Sequence, residues 1–465
     1  MAAEFNEPLT LTEQFEAVIQ TENKLDIKDF LNRQNISDVV DLVYEFEDYE
    51  GQIIANMSMH RAASVFKILE LPTQKRIIQT LPPNTTAALL NDLPADDRTD
   101  FLEELPSNVV RELIKLMDPQ ERRVTLSLLG YPENSIGRLM TPDYVYVYPD
   151  NTIEEVFATI RKYGKDSETI NVIYVINRKG ELLDDIRIRD FILNTPDRKV
   201  SELMDERGVV ALHPEDDQET ASEAFKMNNR VALPVVSSSN KLLGIVTIDD
   251  MLWVASEEFS EDMQKMGGTE ALDEPYLEMP IMKLFKKRIV WLVILFLGEM
   301  LTATAMAYFE DEIARAVVLA LFIPLIISSG GNSGSQATTL IIQAMAVGEI
   351  TIADWWRVMK RELASGLMLG FLLGLIGFFR IVAWHAIAPQ VYGAHWMALG
   401  ITLGLTLLGV VLWGTIAGSM LPMILKRLGA DPAVSSAPFV ATLVDVTGLV
   451  IYFSVANMLL SGTLL

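Results

Sequence analysis

The sequence predicts a multidomain membrane protein: an α-helical N-terminal superhelical domain, a duplicated α/β portion, a long linking helix and an all-α transmembrane domain of five helices. Three observations predict it. Of a net charge of −24, residues 289–465 carry only −2, from nine acids and seven bases. Five long apolar stretches fill that near-neutral part. Prolines recur every 10 to 13 residues between Pro72 and Pro119.

The first element, residues 1–136, reads as short helices. Leu71-Pro72, Leu81-Pro82, Leu93-Pro94, Leu105-Pro106 and Asp118-Pro119 punctuate it, with Leu, Ile and Val at helical spacing between. Proline fits a helix's first turn and disfavours helix in the residue before it. Helices of two or three turns stacking into a small superhelix follow. The first 30 residues carry Glu4, Glu7, Glu13 and Glu16, without a basic start or an apolar run. The chain is therefore expected to have no cleavable signal peptide and to keep its N-terminal portion in the cytoplasm.

From about 138 to 262 the signals alternate between strand and helix, and they do so twice. Leu139-Met140 is answered by Leu203-Met204, and Val145-Tyr-Val-Tyr-Pro149 by Val209-Val-Ala-Leu-His-Pro214. Val172-Ile-Tyr-Val-Ile176 matches Ala232-Leu-Pro-Val-Val236, and Ile188-Arg-Asp190 matches Ile248-Asp-Asp250. Two strand–helix–strand–strand–helix copies of this kind resemble a tandem CBS pair, 137–200 and 201–255. The second copy carries Gly244-Ile-Val-Thr247 ahead of Asp250; the first has Asp184-Asp185 where that glycine would lie. The resemblance implies an adenine nucleotide, ATP, in the cleft between copies, with Thr247 and Asp250 as candidate contacts. Residues 254–285 then read as one acidic linking helix, with Gly267-Gly268 its end or a break.

The apolar stretches run 289–308, 313–347, 363–388, 397–425 and 435–460. Each is long enough to cross about 30 Å of hydrocarbon as a helix. Lys283, Lys286, Lys287 and Arg288 precede the first, and Glu310, Asp311 and Glu312 follow it. Arg357, Lys360 and Arg361 separate the second from the third, and Lys426 and Arg427 follow the fourth. Positive loops alternating with acidic or neutral ones predict a cytoplasmic N-terminus and an outer C-terminus.

The second stretch, at 35 residues, would make a helix of about 50 Å. Its middle, Ile327-Ser-Ser-Gly-Gly-Asn-Ser-Gly-Ser-Gln336, predicts a break lining an ion path. The alternative is that the small residues permit close helix packing. Asp445 stands mid-span in the fifth, in Ala441-Thr-Leu-Val-Asp-Val-Thr-Gly448. An ionised side chain there costs roughly 2.5–3.5 kcal/mol on insertion scales unless it is paired or hydrated. Three readings stay open: a cation or proton path, a pair with Arg380, or a protonated carboxyl bonded to a backbone carbonyl. Glu299, mid-span in the first stretch, is expected to be a second buried acid, a weaker candidate that could instead be a helix-packing hydrogen-bond partner.

Other chemistries are excluded or unsupported. No cysteine means no disulfide, thiolate metal site or cysteine nucleophile. There is no Walker loop, no HExxH and no Ser-His-Asp arrangement, and His60, His213, His385 and His395 are scattered, so no enzyme is expected. The acidic soluble part repels nucleic acid and makes a cation its natural partner, although acidity also serves solubility.

Together these residues resemble the MgtE family of bacterial magnesium channels over essentially the whole chain. The most specific motifs are Pro324-Leu-Ile-Ile-Ser-Ser-Gly-Gly-Asn-Ser-Gly-Ser-Gln-Ala337 and Asp431-Pro-Ala433 through Pro438 to Gly448. The resemblance implies a homodimer in the inner membrane, with the pore on its two-fold axis and Mg²⁺ as both cargo and regulator. It makes residues 256–285 a plug helix and 286–465 the channel domain. Asp445 becomes the selectivity aspartate, Ala441 offers its carbonyl, and Gly331 and Asn332 join the pore. Ala437 stands where the family pattern has an asparagine, which leaves Mn²⁺, Co²⁺ or Ca²⁺ as alternative cargo. The regulatory Mg²⁺ ligands implied are Asp96, Asp100, Asp250, Glu258, Glu261, Asp262 and Asp431, with Trp253 in place of an expected acid. A membrane-anchored nucleotide sensor and a proton-coupled carrier are the competing readings.

Overall fold

A computed structural model describes residues 9–21, 23–205, 207–277 and 279–464; Glu4 and Glu7 lie outside the described residues. The chain folds as two units that divide between Glu257 and Glu258.

The first unit opens with ten α-helices among the described residues, from Leu11–Gln20 to Pro119–Leu128. Pro72, Pro83 and Pro119 occupy the first turns of their helices, and Pro94 and Pro106 the cap positions. A missing N–H costs nothing there, because those amides have no intrahelical acceptor. The apolar positions meet in one core that includes Phe15, Leu42, Phe66, Leu89 and Leu102. Arg98, fully buried in the helix Ala95–Glu103, donates to the carbonyls of Leu90 and Leu93, to the Thr125 hydroxyl and to Glu121. A buried guanidinium needs this full set of acceptors. Satisfied, it fixes the helix that carries Asp96 and Asp100 against Pro119–Leu128.

The α/β portion follows. Strands β1 (Tyr144–Val147), β2 (Thr169–Ile176) and β3 (Leu182–Arg187) form one sheet, β1 parallel to β2 and β2 antiparallel to β3. Strands β4 (Ala232–Val236) and β5 (Leu242–Thr247) form an antiparallel pair. The strand expected at 209–212 is reduced to one parallel bridge, Leu212 with Val235. The two hairpin turns clasp each other: Leu182 N–H donates to Asn240 O, and Leu242 N–H to Gly180 O. β5 leads directly into the helix Ile248–Met266. That helix stops at Gly267-Gly268, where Gly268 takes φ +75°, a conformation glycine adopts without strain. The linking helix therefore does not run to residue 285, and residues 281–285 begin the first spanning helix.

Among the described residues, five segments of the second unit are long and apolar enough to cross a membrane: Ile281–Tyr308, Val317–Ala346, Ile352–Ile387, Gly393–Arg427 and Ala437–Leu460. Within the second, the helix Ile323–Ala346 runs unbroken through the Ser/Gly motif. The predicted break is absent, and the packing alternative holds. A Cβ at Gly414 would lie 2.5 Å from Gly330 O, and one at Gly418 would lie 2.2 Å from Gly334 O. Two backbones pass at a separation only glycine permits. Spans three and four repeat the device, a Cβ at Gly374 falling 2.6 Å from Gly404 O. The first span packs mainly on the fifth, Gly298 against Thr442, and only 6% of its apolar window is buried.

Candidate functional site

Span five places the central carboxylate. Ser436 caps the helix Ala437–Leu460 by accepting the Phe439 N–H at 3.4 Å, and Pro438 sits in its first turn. Two turns on, half-buried Asp445 faces the glycine stripe of span two: a Cβ at Gly331 would meet Asp445 Oδ1 and Ala441 Cβ at 3.5 Å each. Gly331, Ala441 and Asp445 are thus brought together. Asn332 is exposed and donates to Ser328 Oγ at 3.3 Å, along its own helix.

Among the described residues Asp445 makes no hydrogen bond and no ion pair. Arg380 donates to the Tyr392 hydroxyl at 3.4 Å and lies over the Phe322 ring, so that pairing is not formed. Nor does the carboxyl bond to a backbone carbonyl. The charged side chain that acts on it is another acid, Glu299, which lines an open, mostly apolar groove of about 570 Å³ on span one with Phe296 and Thr442.

A second set of acids gathers in the first unit. The helix Ala95–Glu103 brings Asp96, Asp97 and Asp100, the turn after β5 brings Asp249 and Asp250, and Glu168 joins them. Asp96 is 5% exposed, and its Oδ1 is buried without a partner. Burial first, and then the carboxylates of Asp250 and Asp97, push its carboxyl well above the ordinary aspartate range. Burial likewise pushes Asp250 up to about 7, against the Thr247 hydroxyl, which donates to it at 2.7 Å. Asp100 reaches solvent at the rim. The surrounding protein, then Glu103 and Glu257, push its carboxyl to about 7, with water screening part of that effect. Lys67, 3.3 Å from Asp97, is the cation beside them. Its own burial is outweighed by Asp97 and Glu168, which hold it up at about 12. Among the described residues no three His, Asp or Glu converge closely enough to hold one metal ion. The Asp96 oxygen is left without a hydrogen-bond partner among like charges, a buried polar atom that asks for an explanation.

The second unit holds the remaining expected ligands. Glu258 and Asp262 lie a turn apart and half-buried on the linking helix, while Trp253, on the same helix, is exposed. Glu261 and Asp431 both reach Lys265, whose Nζ is 2.7 Å from Asp431 Oδ2. The other Asp431 oxygen accepts the Ala433 N–H at 2.8 Å. Sequence reasoning named these two acids and missed the lysine between them. Its spacing, four residues after Glu261, was visible; the contact to Asp431, 166 residues away, was not.

Comparison with known proteins follows the same layout. The family model of the MgtE intracellular N domain matches residues 16–134, that of the CBS domain 136–194 and 200–257, and that of the MgtE divalent cation transporter 323–455. A protein of Thermus thermophilus described as magnesium transporter MgtE is 37% identical over 370 residues, 79% of this chain and 80% of that one. One of Enterococcus faecalis with the same description is 32% identical over 71% of this chain and 70% of that one. The crystal structure of the soluble part of a magnesium transporter, 24% identical, covers 54% of this chain and 99% of that one with a TM-score of 0.50, and shares the fold of the cytosolic portion. On sequence, domain order and spanning helices alike, this chain belongs to the MgtE family.

Proposed function

We propose that the protein is a homodimeric Mg²⁺ channel for magnesium uptake across the bacterial inner membrane, with its N-terminus in the cytoplasm and its C-terminus outside. The observation that carries this reading is Asp445, mid-span, half-buried and without a hydrogen-bond or ion-pair partner among the described residues. Two such carboxylates, one per subunit, face a single ion. Mg²⁺ demands octahedral oxygen geometry and gives up its waters reluctantly. Gly331 and Ala441 pack beside the carboxylate, a Cβ at Gly331 falling 3.5 Å from both Ala441 Cβ and Asp445 Oδ1, and with Asn332 they complete the proposed pore lining. The domains assigned are 1–136 for the superhelix, 137–200 and 201–255 for the CBS pair, 256–285 for the plug segment and 286–465 for the channel. Uptake into proteoliposomes of Mg²⁺, Mn²⁺, Co²⁺ and Ca²⁺ tests the reading. Mg²⁺ uptake that ignores an imposed pH gradient supports a channel; uptake driven by that gradient makes the protein a carrier titrating Asp445 and Glu299 instead.

Closure by cytoplasmic Mg²⁺ is the second half of the proposal. Asp96 is repelled by Asp250, Asp100 and Asp250 are each repelled by Asp97, and a bound divalent cation turns that repulsion into bridging. Glu258, Glu261, Asp262 and Asp431 form the acidic set of the other unit. The pH dependence has a definite sign. Asp96 and Asp250 titrate higher folded than the unfolded value of about 3.9, so the native state holds more protons through the window up to about 7. Stability therefore falls as pH rises across that window, and Mg²⁺ restores it above. The full chain in detergent and EDTA is expected to melt several degrees lower at pH 8 than at pH 5, each kcal/mol moving the midpoint by about 2–4 °C. Asp250→Asn should narrow the gap; an undiminished gap removes Asp250 from the cluster. ATP is the ligand assigned to the CBS cleft, through Thr247 and Asp250. Equilibrium dialysis of ATP should show weaker binding to the same Asp250→Asn variant, and equal binding places the nucleotide elsewhere.

A further inference from the structure

We infer that Lys265 is a built-in cation that fastens the end of the linking helix to the membrane domain, so that Glu261 and Asp431 need no Mg²⁺ to be bridged. The ammonium sits between a carboxylate on the linking helix and a carboxylate at the cytoplasmic entrance to span five, 2.7 Å from the second. All three side chains are about one-third exposed, 29% for Lys265, 36% for Glu261 and 33% for Asp431. An ammonium has three donors; two are spent here and the third reaches water. Mg²⁺ requires several oxygens at about 2.1 Å and keeps most of its own waters. It cannot enter between these carboxylates while a fixed positive charge occupies the gap, and one Asp431 oxygen is already committed to the Ala433 N–H.

The neighbouring contacts are metal-free as well. Gly268 packs on Ser436 and Pro438, with a Cβ there falling 3.5 Å from Ser436 Oγ and 3.4 Å from Pro438 Cγ. Gln264 accepts the Leu272 N–H at 2.6 Å, and the Glu270 N–H donates to Lys287 O at 3.1 Å. The last turn of the linking helix is thus held at the start of the Asp445 helix by contacts that EDTA does not remove. The proposal rests on the gating reading only for its consequence, that divalent control acts through acids other than Glu261 and Asp431.

Hydrogen exchange of the full-length protein in detergent, read by mass spectrometry over residues 264–274, tests this directly. In EDTA the native segment should stay protected, Lys265→Gln should exchange about tenfold faster, and Lys265→Arg should stay close to native, as expected for loss or retention of charge-assisted bonds. Excess Mg²⁺ should slow exchange in Lys265→Gln, where the vacated carboxylate pair becomes available to metal. Two results overturn the inference: Lys265→Gln protected like the native chain in EDTA, or a native segment that is unprotected in EDTA and gains protection only with Mg²⁺. Flux measured on the same samples separates the two ideas. An intact lysine clasp with Mg²⁺-insensitive flux sinks the gating reading and leaves the clasp standing.

Discussion

Asp445→Ala is expected to abolish Mg²⁺ flux in proteoliposomes, by at least about a hundredfold, while the protein still elutes and melts like the native protein. The magnitude follows from electrostatics at the path. A unit charge pair at 4 Å is worth about 4 kcal/mol at an effective dielectric of 20, and each 1.4 kcal/mol is tenfold. With the subunits paired, the substitution deletes two carboxylates from one divalent ion. No other acid lies in span five, and Glu299 belongs to a different helix in an open groove. Folding should not suffer, because the carboxylate holds nothing else in place: no hydrogen bond or ion pair to described residues is lost with it. Asp445→Asn keeps the volume and removes the charge, and should lose nearly as much. Flux within about twofold of native in either variant would mean that the ion passes elsewhere.

Gly418→Ala carries the second large effect, with a different cause. The new methyl would sit 2.2 Å from Gly334 O and 2.9 Å from Thr338 Oγ1, so spans two and four must part. Overpacking of this kind costs typically about 1–3 kcal/mol, and here the obstacle is backbone, which cannot rotate away. The displacement reaches the proposed ion path, because the stripe that meets span four at Gly330 and Gly334 also presents Gly331 to Asp445. A melting point lowered by several degrees and a loss of flux are both expected. Gly409→Ala on the same helix is the control, since its methyl meets only Ile451 Cγ2 at 3.4 Å and gains helix propensity. Equal behaviour of the two variants would show that the glycine contact does not hold the spans.

Much of this was readable from residues. The charge split located the membrane unit, prolines marked helix starts, the repeated strand signals exposed the duplication, and one acid in an apolar run singled out the carboxylate on which the proposed path rests. The Ser/Gly motif misled for a physical reason: a broken helix and a tight helix crossing both call for small residues. The deciding sign lay in span four, where Gly414 and Gly418 repeat the four-residue spacing of Gly330 and Gly334. A stripe matched by a second stripe predicts contact between two intact helices. What stayed hidden was non-local. Nothing near Asp97 in sequence announces Lys67, and nothing near Asp431 announces Lys265.

The clasped hairpin turns bear on how a signal moves through the cytosolic unit. With Leu182 bonded to Asn240 and Leu242 to Gly180, the two halves of the duplicated portion are hooked tip to tip and cannot slide past one another. The two halves also share a core in which Tyr174 and Leu182 of one meet Val236 and Ile245 of the other, so a pull exerted on Asp250 is expected to carry both halves together.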